Sequence, residues 1–63
     1  MKMNIKLVQQ ELDRINQDYS WLARRMGVSR QAVWEIMHKG GKTLKTIEKF
    51  AVALRFNPKD LII

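Results

Sequence analysis

Apolar residues fall at Ile5, Val8, Leu12 and Ile15, in steps of three and four that place them on one face of a helix running from about Asn4 to Asn16. Asp18 is an N-cap residue type, and Leu22, Ala23 and Met26 after it give a second helix of about two turns, which Gly27 ends through its permissive backbone. Ser29 offers a hydroxyl to cap a third helix with Val33, Ile36 and Met37 facing inward, and Gly40-Gly41 stops it. Thr43 caps a fourth, the most regular segment, in which Leu44, Ile47, Phe50, Ala51 and Leu54 recur at helical spacing. Asn57-Pro58 reads as an N-cap followed by proline at the first helical position, where its missing N–H costs nothing, and opens a short turn through Leu61. No strand-like alternation, repeat, linker or low-complexity run interrupts this order. The pattern predicts an all-α fold, a compact bundle of about five short helices forming a single domain over residues 1–63.

Composition narrows what such a bundle can do. A chain of 63 residues buries a small core and must pack it economically or share surface with a partner. Its 46% hydrophobic content is that of a folding chain, not a disordered one. It has no cysteine, which excludes disulfides and thiolate metal sites, and its one histidine, His38, has no second ligand of its kind to share a metal. No cofactor is expected. There is no glycine-rich phosphate loop between strand and helix and no nucleophile with an adjacent base, so no catalytic site is expected either. The opening segment lacks the apolar stretch of a signal peptide, and no run approaches the ~20 apolar residues of a membrane helix. The expectation is a cytoplasmic protein that does not associate with membranes.

Charge changes the picture more. The net charge is +6, and the stretch from Arg24 to Lys49 holds seven of the twelve bases but two of the six acids. Such clustering is the footprint of a polyanion binder, because neutralising phosphates releases counterions. A solvated surface that keeps a small protein soluble would look the same, so charge alone leaves both readings open.

The discriminating stretch is Leu22-Ala23-Arg24-Arg25-Met26-Gly27-Val28-Ser29-Arg30-Gln31-Ala32-Val33-Trp34-Glu35-Ile36. It resembles the helix-turn-helix of the lambda-repressor and Cro-like regulators, with small Ala23 where the second and third helices cross, Gly27 in the turn, and Val28 inserted between them. The likeness continues through Thr43-Leu44-Lys45-Thr46-Ile47-Glu48-Lys49-Phe50-Ala51-Val52-Ala53-Leu54 and Asn57-Pro58-Lys59-Asp60-Leu61, similar to the family's fourth and fifth helices. It covers roughly residues 4 to 62. Three features depart from the family pattern: Tyr19 replaces a frequent glutamine, Trp34 replaces a small polar residue, and the segment His38-Lys39-Gly40-Gly41-Lys42 is one residue shorter.

The resemblance implies a lambda-repressor-like fold with the helix-turn-helix in helices two and three. It implies sequence-specific binding of a double-stranded DNA operator by a transcriptional regulator, a repressor of phage or mobile-element type encoded in a bacterium or phage. The third helix would then present Arg30, Gln31, Trp34 and, at its edge, Glu35 to the bases. Arginine can bond guanine O6 and N7 together, and glutamine adenine N6 and N7. Trp34 has two roles open to it, an apolar contact with a thymine methyl or a ring folded back on its neighbours. Tyr19, Ser29, Lys39, Lys42, Thr43 and Lys45 would grip phosphates, aided by the amides near Thr43. Arg24 and Arg25 read as solvated, and Trp21 as a partial cover over the first helix. A homodimer is expected through the fifth helix, where Leu61, Ile62 and Ile63, with Phe56 nearby, form an apolar group; closure of a monomer's core is the alternative. The competing function is a helix-turn-helix that binds protein, as an antitoxin or adaptor subunit.

Overall fold

A computed structural model describes residues 2–41 and 43–63. Four α-helices follow in order: α1 (Ile5–Arg14), α2 (Tyr19–Met26), α3 (Arg30–Lys39) and α4 (Leu44–Leu54); a single 3-10 turn (Pro58–Leu61) closes the chain. The fifth expected helix is thus one turn of tighter helix, too short to leave the 3-10 form after Pro58 has set its start.

Each α-helix starts on a side-chain cap. Asn4 Oδ1 accepts from the Leu7 amide at 3.1 Å, Asp18 Oδ1 from Trp21 at 3.0 Å, Ser29 Oγ from Ala32 at 3.1 Å and Thr43 Oγ1 from Thr46 at 3.3 Å. All four supply an oxygen to an amide that the helix itself leaves without a partner. Their ends are less uniform. Gly27 (φ 73°) and Gly40 (φ 89°) finish α2 and α3 with glycine's positive φ. Asn16 (φ 57°) turns the chain after α1, and the Gln17 amide reaches back to the Leu12 carbonyl at 2.9 Å, so α1 stops two residues short of the end that periodicity predicts. Arg55 (φ 62°) does the same after α4, where the Phe56 amide closes on the Ala51 carbonyl at 2.8 Å.

Phe50, Ile47, Leu12, Leu22, Val8, Val33 and Leu61 are fully enclosed, so every helix and the closing turn contribute to one core. On α3 the inward positions are Val33 and Met37, one turn apart, while Ile36 is half-buried. Leu44, expected inside, is 44% exposed because the first residue of α4 lies beyond the core's edge. Among the described residues no polar or charged side chain is buried, so all the candidate chemistry is on the surface.

Periodicity does not reveal how the two ends of the chain meet. Met3 pairs antiparallel with Ile62, the Asn4 amide donates to the Leu61 carbonyl at 2.7 Å and the Ile63 amide to the Lys2 carbonyl at 2.9 Å. Met3 is buried, and its amide donates to the Gly41 carbonyl at 3.0 Å. The paired glycines therefore have different reasons. Gly40 supplies a positive φ in open space, whereas a Cβ on Gly41 would stand 3.2 Å from Met3 Cβ. This closure takes up Leu61 entirely and half-buries Ile62, leaving Ile63 as the exposed member of the expected dimer patch.

Candidate nucleic-acid interface

The turn Gly27-Val28-Ser29 joins α2 to α3, and its geometry follows from three local facts. Gly27 adopts the left-handed backbone that ends α2, half-buried Val28 returns its amide to the Ala23 carbonyl at 3.0 Å, and Ser29 begins α3. With Val33 and Met37 held in the core, the opposite side of α3 faces solvent by helical geometry. Arg30, Trp34 and His38 form one ridge at four-residue spacing, and Gln31 and Glu35 lie beside it; all five are exposed. Arg30 and Gln31 occupy the first turn, where amides without carbonyl partners and the positive end of the helix dipole favour an anion.

Trp34 is 42% exposed and stacks on His38, with ring centroids 4.1 Å apart and planes inclined by 20°. The histidine is itself tied down, because its Nδ1 lies 2.9 Å from the Trp34 carbonyl oxygen. A carbonyl can only accept, so Nδ1 carries the proton in this bond and Nε2 is left as the ring's uncommitted nitrogen. The ring thus leans on a neighbour and keeps an apolar edge in solvent. His38 was legible only as a solitary histidine; the signal for its place is the four-residue step from Trp34.

The phosphate candidates divide by what their hydroxyls already do. Ser29 Oγ accepts the Ala32 amide and can still donate its own proton. Thr43 Oγ1 accepts the Thr46 amide and donates to Thr46 Oγ1 at 2.9 Å, so its hydroxyl proton is spent and the first amides of α4 are the available donors there. Tyr19, half-buried at the start of α2, donates to Gln9 Oε1 at 3.3 Å, and a phosphate would have to displace that acceptor. Tyr19 and Arg30 line one shallow groove with Gln9 and Gln17, two amides that sequence reasoning did not single out. Lys39 and Lys45 are exposed at the end of α3 and the start of α4, and Lys42 lies outside the described residues.

Arg25 departs from its reading, and Trp21 is half-buried beside the end of α1. Arg25 is not simply solvated: its Nε donates to the Ala53 carbonyl at 3.2 Å, meeting one of the last carbonyls of α4, and its guanidinium carbon stands 5.2 Å from the centroid of the Trp21 ring. Trp21, half-buried, borders a cleft between the ends of α1 and α4. On α1, Arg14 clasps Glu11 through Nε and a terminal nitrogen, at 2.7 and 2.5 Å, and these bonds hold the Glu11 carboxyl below its ordinary range.

No protein-family model, curated protein or solved structure matches the chain. Among the described residues no helix is long and apolar enough to cross a membrane.

Proposed function

We infer that the chain is a sequence-specific double-stranded DNA-binding module, a transcriptional regulator of the repressor type, in which α2, the Gly27 turn and α3 act as a helix-turn-helix. The observation that carries this reading is the two-sided character of α3. Val33 and Met37 anchor it in the core, Gln31 and Glu35 face away from them, and Trp34 beside these and Arg30 at the first position also stand exposed, starting from a capped helix N-terminus. Arg30 and Gln31 read base edges, Trp34 offers an apolar edge to a thymine methyl, and Ser29, Lys39, Lys45 and the amides after Thr43 hold phosphates. Lys42 is assigned to phosphate on sequence grounds alone. A two-fold dimer would set two such helices on half-sites roughly 34 Å apart.

The test is selection of binding duplexes from a random pool, followed by titration of the selected and a scrambled duplex at several salt concentrations. The reading requires a recurrent site bound at least about a thousandfold more tightly than the scrambled duplex at physiological salt, with both affinities falling steeply as salt rises. A pool that yields no recurrent site contradicts it and favours the protein-binding alternative.

A further inference from the structure

At the end of α4 remote from Thr43 an open cleft of about 580 Å³ lies between α1, α2 and the exit from α4. Its apolar lining is half-buried Ile15, Trp21 and Phe56, and exposed Arg14, Arg25 and Arg55 border it together with one carboxylate, Glu11. Arg14 is matched by Glu11, but neither Arg25 nor Arg55 has a carboxylate within ion-pair distance among the described residues. Arg25 is nonetheless held in place, by the Ala53 carbonyl and the Trp21 ring, so its terminal nitrogens are presented without being neutralised. Arg55 is the less expected member. It ends α4 at φ 62°, a conformation that glycine or asparagine adopts at lower cost, and that position sets its side chain at the cleft. An apolar lining with two unmatched guanidinium groups beside it complements an apolar side chain flanked by carboxylates.

We propose that this cleft docks an acidic peptide segment of a partner protein, a large apolar side chain entering between Trp21 and Phe56 while neighbouring carboxylates pair with Arg25 and Arg55. The site is independent of the DNA reading. With α4 roughly 16 Å long in a molecule 25 × 22 × 18 Å across, the cleft and the phosphate-facing start of α4 lie toward opposite ends of that helix, so one ligand need not displace the other. A second copy of this chain would bring few carboxylates to Arg25 and Arg55, having six acids against twelve bases.

The probe is a short synthetic peptide with phenylalanine flanked by glutamates, titrated into isotope-labelled protein by NMR. The expected result is saturable shifts of the Trp21 indole N–H and the Arg55 and Phe56 amides, with Arg30 and Gln31 unmoved. Arg55→Gly suits the left-handed backbone and so keeps the fold, and it should weaken the peptide about tenfold, whereas Lys6→Ala, an equal loss of charge on exposed α1 surface, should change it less than about twofold. The proposal is overturned by absence of saturable binding, by shifts centred on α3, by equal losses in the two variants, or by equal binding of a peptide with lysines replacing the glutamates. Shifts at the cleft on concentrating the protein alone would assign it to a second copy, and shifts there with duplex DNA would assign it to phosphate; either result also overturns it.

Discussion

The molecule carries two basic surfaces built in opposite ways. On α3 the cationic and polar groups stand in a row along one rigid helix, exposed, with Trp34 and His38 stacked among them. At the far end of α4, arginines from three elements gather around half-buried apolar side chains, two of them immobilised by contacts within the protein. A row of donors at helical spacing suits a groove with a regular repeat of acceptors, and a cluster around an apolar lining suits a compact ligand of mixed character. Charge of one sign therefore does not mean one use; what separates the surfaces is which backbone elements place the charges.

Both surfaces depend on the one core, and that dependence is the first way to break the comparison. Phe50→Ala should cost about 3–5 kcal/mol, against a total stability on the order of 3–9 kcal/mol for a chain this size. Thermal melts should show a strongly lowered midpoint, with DNA and peptide binding lost together as the variant unfolds. Gly27→Val strikes the α3 surface more selectively. Nothing lies within 4 Å of the added Cβ, so its cost is backbone strain at φ 73°, on the order of 1–3 kcal/mol. The variant should melt lower and lose DNA affinity before peptide affinity; near-unchanged melting would mean that the turn tolerates a β-branched residue. The smallest effect belongs to Glu11. Its carboxyl is held below the ordinary range by the Arg14 hydrogen bonds, so the stabilisation is present above the unfolded-state pKa and is lost as pH falls through the lower folded value. Glu11→Gln should lower the melting temperature slightly at neutral pH and match the parent protein in acid, in melts recorded across that range.

Local chemistry made much of the scaffold legible. Asp18, Ser29 and Thr43 announce helix starts because their side chains satisfy amides within three residues, and Gly27 announces a turn because only its backbone is unhindered there. What stayed hidden depends on contacts between distant parts of the chain. Nothing near Met3 says that it will be buried against Gly41 and paired with Ile62, and the apolar run at Leu61 and Ile62 looks the same whether it closes a core or meets a partner. Arg25 read as solvated because a helix period cannot show that the Ala53 carbonyl lies within reach. Arg55 carries no turn signal, since arginine has neither glycine's freedom nor the short polar side chain that lets asparagine adopt a left-handed position. On α3, Arg30, Gln31 and Glu35 were legible as outward positions, but the disposition of Trp34 was set by His38, whose contact depends on side-chain rotamers.

The central claim is that α3 reads bases while its flanks grip phosphate, and competition titration of Arg30→Ala and Lys45→Ala against the selected and a random duplex at several salt concentrations tests it most directly. Arg30→Ala should lose roughly 1–3 kcal/mol on the selected site, relax the preference at one base position and bind random duplex almost unchanged. Lys45→Ala should weaken both duplexes by a similar factor and flatten the log-log salt slope by about one. If Arg30→Ala instead weakens both duplexes equally and leaves the base preference intact, α3 does not lie in the groove and the account is wrong.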